Sequence, residues 1–512
     1  MIWHIFKKDW KLLWVFVVAV ALINWVAEFV VYKVGLFGEY PMLELLSEQL
    51  PVVAMFANMF LVAAIVHLDS LPGVRQDWLV RPIRRRDLLL EKLFFAIVTV
   101  AGPVFVANLA EGLANHFSLR DSLLAAAWRG GYLVFLIILP ISILGSVTQN
   151  MTEAFIFGCG CTFIIAVFLT LTQYGNQAAH GTLVPVPDSG VGWVGEVFRF
   201  GVVLVASAVI LSLQFFCRKT FTSRLLVVAF GLVLLFSLFF PWRIAFAIQE
   251  RLSVNRIVGA AIQVTFDPAA ERYRMPSGLN SGESNRREDQ AEVFLPVRIQ
   301  GVHKDGVFST DRVDLRLIAA SGNVVYHGNG EGMRVSYDER VYQEIELPES
   351  VYLANQDRPL RAELNYSLTM FGLAKSYSIP PLNGDERMPG WGWCQTKLNE
   401  LGTAVELHCM QPGRGPICAS VFLENAATGA RNPERSACGS DYTPFGDRPI
   451  PDNFARFGVN LPFRNPSGLA KFPVDGPQLP ESRVVIRVYE PEDHFTRTLV
   501  IPQIKLKDWE AQ

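Results

Sequence analysis

The sequence predicts a membrane-embedded α-helical bundle joined to an extracytoplasmic, β-rich region of β-sandwich type. Three observations carry this expectation. Seven apolar runs of spanning length are confined to the first half of the 512 residues. Positive charge is unevenly divided between alternate loops. The second half consists of short β-branched runs separated by turn residues.

A bilayer core of ~30 Å needs roughly 20 largely apolar residues in helical form. Residues 12–32, 50–66, 93–110, 130–147, 154–171, 200–217 and 225–242 meet this requirement, giving a bundle of about seven transmembrane helices. Hydrophobic residues make up 51% of the chain and charged residues only 18%, below the ~25% of ordinary soluble domains. Residues 1–255 hold 18 Lys/Arg against 15 Asp/Glu, and residues 256–512 hold 28 against 33. Neither half has the basic excess of a nucleic-acid-binding surface, so no nucleic-acid partner is expected.

Lys and Arg are enriched in cytoplasmic loops. With the loops assigned alternately, one side collects Lys7, Lys8, Lys11, Arg75, Arg81, Arg84, Arg85, Arg86, Lys92, Arg218, Lys219 and Arg224. The other collects only Lys33, Arg120, Arg129 and Arg199. This bias places the amino terminus in the cytoplasm. An odd number of spans then places everything after Trp242 outside. Lys7, Lys8 and Lys11 followed by an apolar run and Ala19-Val20-Ala21 resemble a cleavable signal peptide, but the apolar run continues to Ala27.

The division into modules follows composition: 1–250 for the membrane domain, 251–385 for a first β-rich domain, and 386–512 for a second. Strands are expected at 256–266, 291–300, 312–318, 323–327, 361–370, 405–408, 420–423 and 484–488, with a turn at Ala320-Ser321-Gly322-Asn323. Gly328-Asn329-Gly330-Glu331-Gly332 reads as a further turn. Cys394, Cys409, Cys418 and Cys438 fall in the region placed outside, where disulfides persist. Two bridges among them allow three pairings. Their spacing contains no C-x2-C pair, so a zinc site is not expected.

Neither half contains a G-x4-G-K-[ST] phosphate loop, an H-E-x-x-H pair or a G-x-S-x-G elbow. No catalytic residues, metal ligands or cofactor are therefore expected in this chain. Two polar residues in the first span, Asn24 and Glu28, lie four apart and share a helix face. A carboxylate there marks a pathway or a partner, because charge in the membrane is costly.

The loop between the second and third runs is the most informative segment. Arg75, Asp77, Trp78, Arg81, Pro82, Ile83, Arg84, Arg85, Arg86, Asp87, Leu88 and Lys92 form a basic stretch. Pro82 disfavours helix at Arg81. Beyond it, Ile83, Leu88 and Leu89 can line the apolar side of a short helix. Arg81-Pro82-Ile83-Arg84-Arg85-Arg86-Asp87-Leu88-Leu89-Leu90-Glu91-Lys92 resembles the corresponding loop of the ABC-2 type transporter permeases. The resemblance covers roughly residues 1–240. It implies a coupling helix resting on a separate ABC ATPase subunit, a homo- or heterodimer of permease subunits, and a bacterial cytoplasmic (inner) membrane location. It also implies an interfacial elbow helix at residues 2–14, where Phe6, Trp10 and Leu13 share a face, and short external helices within 173–196. The large region after the seventh run departs from a six-span permease.

Two functions from different classes follow. One is the membrane subunit of an ATP-driven transporter, with hydrolysis on a partner and coupling through 70–92. The other is a membrane-anchored extracytoplasmic binding or scaffold protein whose helices only hold it in lipid.

Overall fold

The computed structural model describes residues 2–34, 41–68, 84–178, 192–237, 242–253, 259–273, 290–330, 334–336, 340–389, 391–411, 417–439, 455–464 and 472–510. The first half is helical and the second is built of antiparallel sheets, as the apolar and β-branched patterns predict.

The helices in chain order are α1 (Ile2–Val34), α2 (Pro41–His67), α3 (Arg85–Ala96), α4 (Gly102–Ala114), α5 (Leu119–Leu133), α6 (Leu139–Val147), α7 (Met151–Ala178), α8 (Gly192–Ser212), α9 (Thr220–Phe236) and α10 (Trp242–Leu252). Among the described residues, five helical segments are long and apolar enough to cross a membrane: Ile2–Val34, Leu45–His67, Arg85–Ala114, Leu119–Val147 and Trp193–Cys217. This corrects the expected seven. The run at 225–242 yields α9, whose 17 residues reach only ~25 Å at 1.5 Å per residue. The run at 154–171 lies within α7, a helix of 28 residues.

A second correction concerns the amino terminus. α1 is continuous over 33 residues, so 2–14 is not a separate elbow. Its aromatic face exists and continues onto α3: Phe6 stacks on Trp3 and Trp10 and meets Phe94 and Phe95 of α3, with Phe95 buried and Trp3, Trp10 and Phe94 exposed. Leu13 is buried among α1, α2 and the α3–α4 and α5–α6 segments.

Two spans contain π-helical turns, Ile97–Ala101 between α3 and α4, and Val134–Ile138 between α5 and α6. Each ends just before a proline, Pro103 and Pro140. Proline lacks an N–H and its ring crowds the carbonyl four residues back. A widened turn ahead of it relieves that conflict and keeps the helix continuous. A third π turn, Leu213–Cys217, ends α8 at Arg218, which is left-handed (φ 53°).

The bundle leaves large apolar side chains on its outside, including Phe56, Phe155, Phe163 and Phe221. In water such a surface would be an association hazard. Against lipid tails it is the expected composition.

The second half contains fourteen strands among the described residues. A three-stranded sheet has the order β1 (Gln263–Phe266), β2 (Gln290–Gln300), β6 (Arg340–Pro348). A four-stranded sheet runs β13 (Ala455–Pro462), β10 (Ala404–Gln411), β9 (Gly392–Leu398), β8 (Asp385–Met388). The largest sheet has the path β12 (Arg435–Gly439), β11 (Ile417–Asn425), β14 (Ser482–Ile504), β7 (Leu360–Ile379), β3 (Gly306–Ala319), β4 (Val324–Gly330), with β5 (Arg334–Ser336) also paired to β3. Gly322 takes φ +87° in the β3–β4 turn and donates to the Ala319 carbonyl, as a hairpin glycine must. Gly328 and Gly330 belong to β4 rather than to a turn, and a side chain at Gly328 would strike the Tyr326 ring.

Two cores form, and β7 and β14 contribute to both. One core packs Val293, Leu295 and Val297 of β2 against Leu364, Tyr366 and Leu368 of β7 and Leu499 and Ile501 of β14. The other packs Leu407 of β10 against Val421 and Leu423 of β11 and Val484, Ile486 and Val488 of β14. β7 and β14 are 20 and 23 residues long and run through both cores. The register shifts at Val488/Tyr489 and Pro491/Asp493, between the two. Such bulges bend and twist a strand, and here β14 passes from the second core to the first.

Cys394 and Cys409 face each other across β9 and β10 and form a disulfide. Cys418 is also disulfide-bonded, and the β11–β12 register sets Cys438 opposite it. Peptide mass spectrometry without reductant is expected to recover the Cys394–Cys409 link. The bridge closes a sequence separation of 15 residues, so replacing both cysteines by Ala should lower stability in urea unfolding by about 3 kcal/mol. Unchanged unfolding would show that this pair contributes nothing.

Candidate functional site

Three places hold chemistry-bearing side chains: the basic start of α3, the polar cluster inside the bundle, and the joint between α10 and the large sheet.

Of the basic loop, Arg75, Asp77, Trp78, Arg81, Pro82 and Ile83 lie outside the described residues. Arg84 is the N-cap of α3, and Arg84, Arg85 and Arg86 are exposed. Asp87 occupies the first turn, where a carboxylate complements the helix dipole. Leu88 does not line a partner-facing side. It is 2% exposed and packs with Ile5, Ile143, Ile210 and Phe215. Lys92 is buried too, its Nζ 2.6 Å from Asp9 Oδ2 in α1. Arg85 donates to the Phe216 carbonyl at the end of the α8 span, at 2.6 Å. The sequence pattern identified the basic run. It could not show that α3 turns its Leu88 and Lys92 side inward.

Asn24 and Glu28 share a face of α1, and each meets a partner from another span. Asn24 and Asn58 of α2 exchange two amide hydrogen bonds, at 3.0 and 3.1 Å. Glu28 and Arg129 of α5 form a two-point ion pair. Arg129 Nη2 lies 2.6 Å from Oε1, and Nη1 lies 2.9 Å from Oε2. The same Nη1 donates to Asn108 Oδ1 of α4 at 2.9 Å, while Asn108 donates to the Val104 carbonyl. Arg129 was expected in an external loop. The α5 helix instead begins at Leu119, ten residues earlier, with Ser118 as a side-chain cap accepting from the Asp121 N–H. This draws Arg129 into the bundle and lowers the loop count on that side. Close by, the Tyr132 hydroxyl donates to Glu196 of α8 at 2.6 Å, so Glu196 also leaves the expected 173–196 loop. Residues 173–178 are the last turns of α7, and 179–191 lie outside the described residues.

Next to this cluster, a cavity of about 290 Å³ opens between α1 and α4. Trp25, Glu28, Phe29, Tyr32, Ala107 and Glu111 are among its walls. Trp25 is held by its indole N–H to the Pro103 carbonyl at 3.0 Å. Lys33 sits over the Phe29 and Tyr32 rings. Sequence reasoning passed over Asn58 and Asn108, although both stand out as amides inside apolar runs.

At the joint, α10 lies against β14. Phe246 meets the His494 ring edge-on, and Ser253 Oγ lies 3.1 Å from His494 Nδ1. Asp493 Oδ2 accepts from the Gly259 N–H at 3.0 Å. Burial pushes the His494 imidazole down to about 4. Among the described residues, no group of three or more His, Cys, Asp or Glu side chains is arranged to hold a metal ion.

No family model matches this chain, and no curated protein matches it. Among solved structures, red sea bream transglutaminase aligns at 8% identity over 52% of this chain and 35% of that one, with a TM-score of 0.14. The chain thus spans about a third of that protein's length. A likeness of this size carries no functional argument.

Two predictions follow from these geometries. Removing one member of a buried pair leaves an uncompensated charge, which costs about 3–5 kcal/mol. Glu28→Gln alone and Arg129→Met alone should therefore each destabilise the detergent-solubilised protein strongly, and the double variant should recover much of the loss. Additive losses in a double-mutant cycle would argue against a direct pair. For His494, the folded value of about 4 lies below the ordinary 6.5. The unfolded chain therefore takes up a proton first as pH falls. Stability is full above pH 6.5 and is lost between 6.5 and about 4, by roughly 3 kcal/mol. His494→Gln should flatten that part of the stability profile.

Proposed function

We propose that this chain is the membrane subunit of a transporter driven by a separate ABC ATPase, with α3 as the element that receives the partner's motion. One observation supports this most directly. The exposed Arg84–Arg86 start of α3 is tied to two other spans, through Lys92–Asp9 to α1 and through Arg85 to the end of the α8 span. A partner gripping the arginines would move α1 and the α8 span together, because Leu88 and the Lys92–Asp9 pair are buried and Arg85 is bonded to the Phe216 carbonyl.

In this proposal the five long apolar segments form the membrane-spanning part of the subunit. The amino terminus is cytoplasmic and the sheets are extracytoplasmic in a bacterial inner membrane. The disulfide favours that side. The subunit works as a homo- or heterodimer, in contact with lipid, and takes its nucleotide chemistry from the partner. The second reading, a membrane-anchored binding or scaffold protein, is favoured by the size of the sheet region and by its disulfide.

Co-purification separates the two. A transport subunit should bring down a nucleotide-hydrolysing chain from detergent extracts, and Arg84→Glu with Arg86→Glu should reduce that recovery at least tenfold. Arg85→Ala keeps the exposed charge pattern mostly intact but removes the bond to the Phe216 carbonyl. It should leave association nearly unchanged and weaken stimulated hydrolysis. A reporter fused after Arg86 must read cytoplasmic in each variant. Full recovery of hydrolysis and association in the double variant would sink the coupling role, and absence of any hydrolysing partner would favour the anchored reading.

A further inference from the structure

The cavity of about 290 Å³ between α1 and α4 is a groove on the outside of the bundle, beside the last turns of α1. Trp25, Phe29 and Tyr32 recur every three or four residues along α1 and form one wall. Ala107, Ala110 and Ala114 of α4 belong to the other. Three alanines there leave space that longer side chains would fill. Trp25, Phe29, Tyr32, Ala110 and Ala114 are exposed, so the groove is reached directly from the medium around the bundle. Its surface is almost wholly apolar. Glu28 is among the walls but is neutralised by Arg129, and Glu111 is buried.

Depth and charge identify the occupant. From Trp25 to Lys33 the groove follows α1 for about 12 Å at 1.5 Å per residue. One leaflet of a ~30 Å hydrocarbon core is about 15 Å deep. A groove that starts at the end of a span and runs inward therefore covers most of one leaflet. At that end Lys33 is exposed in the last turn of α1. Its Nζ lies 5.6 and 5.7 Å from the Phe29 and Tyr32 ring centroids. The two rings hold the ammonium over the groove wall. Among the described residues no carboxylate forms an ion pair with Lys33, so its charge faces the membrane margin unmatched.

We propose that this groove binds one acyl chain of an anionic phospholipid, with the lipid phosphate at Lys33. The chain fills the space that the alanines leave and packs against the Trp25, Phe29 and Tyr32 rings. Lipid tails are as apolar as the groove, so close packing rather than escape from water favours this chain over its neighbours. Lys33 adds a preference for negative headgroups. Seated there, the lipid covers the seam in front of the Glu28–Arg129 pair. The site does not depend on a partner ATPase and serves a transport subunit and an anchored protein alike.

The test uses the full chain in phosphatidylcholine nanodiscs containing a trace of phosphatidylglycerol with a photoreactive diazirine on its acyl chain. Labelled positions are mapped by peptide mass spectrometry. Labelling should concentrate on residues 25–32 and 106–114 and exceed that of the exposed face of α9, which carries Phe221 and Leu232. Unlabelled phosphatidylglycerol should compete better than phosphatidylcholine, by about fivefold, the scale of one lysine near an anionic surface. Lys33→Gln should remove that difference. Ala110→Trp, which fills the groove and leaves Lys33 in place, should lower the labelling to the level of α9. Both positions are exposed, and monodisperse elution with an intact Cys394–Cys409 linkage certifies each fold. Even labelling over the whole apolar surface means ordinary boundary lipid and overturns the proposal. An undiminished phosphatidylglycerol preference in Lys33→Gln overturns it too. So does a groove shielded from the probe in discs that hold two copies, which would assign it to contact between chains.

Discussion

α1 is fastened to other spans by an ion pair near each end, and the membrane half depends on those two fastenings. Asp9 meets Lys92 of α3, and Glu28 meets Arg129 of α5. The two acids are separated along one continuous helix by about 28 Å at 1.5 Å per residue. That distance is close to the ~30 Å thickness of a hydrocarbon core. Charges placed at the two margins of the apolar layer cost less than charges at its centre, and paired charges cost less again. Between them α1 shows mainly apolar residues, with Lys11 close to Asp9 and Asn24 close to Glu28 as the polar exceptions. The Asn24 amide is matched reciprocally by Asn58, as a medium without water requires.

The sheet half has its own continuous elements. β7 and β14 pair along nearly their whole length, and no single cut in the sequence between 360 and 504 separates the two cores cleanly. Each core has its own covering sheet, of three strands in one case and four in the other. The bulges at Val488/Tyr489 and Pro491/Asp493 fall where β14 changes cores, and the α10 contact through His494 falls there as well. The place where the strand is least regular is thus also where the membrane helices reach the sheets.

Much of this was legible in the sequence because periodicity and length speak to the medium in which an element folds. The apolar runs located the helices, and the strands at 291–300 and 361–370 appear within β2 and β7. What was not legible depends on contacts distant in the chain. Leu88 and Lys92 look like members of a basic interfacial helix, and only the positions of Asp9 and Ile5 reveal that this side is buried. Arg129 looks like a loop residue because Gly130 and Gly131 follow it, yet a Ser118 cap starts α5 early. The cysteine pairing needed strand register, which places Cys394 opposite Cys409, whereas spacing alone left three choices. The cluster of Pro and Gly near 380–391 marks the turn from β7 into β8, and that signal says nothing of the end of β14, which returns to the first core.

The two ends of the bundle differ in what they leave available. At the end where α3 begins, Lys92 is neutralised by Asp9, while Arg84 and Arg86 remain at the surface. At the opposite end Arg129 is taken up by Glu28 and Asn108, and the loop between α4 and α5 instead presents Phe117, which packs with Met410 and Trp393 of the four-stranded sheet. One end therefore leaves charge exposed, and the other is already occupied by the chain's own second half. Exposed arginines contribute little to folding, since isolated surface charges are worth at most about 1 kcal/mol even when paired. Burial of Leu88 and Lys92 fixes α3 without them. The shape at that end does not need Arg84 or Arg86; in the proposed reading they serve recognition of the partner or orientation by the positive-inside bias. These two roles are separable: orientation depends on charge anywhere along the loop, whereas recognition depends on these positions. Moving the two charges to other positions of the same loop would preserve the first and remove the second.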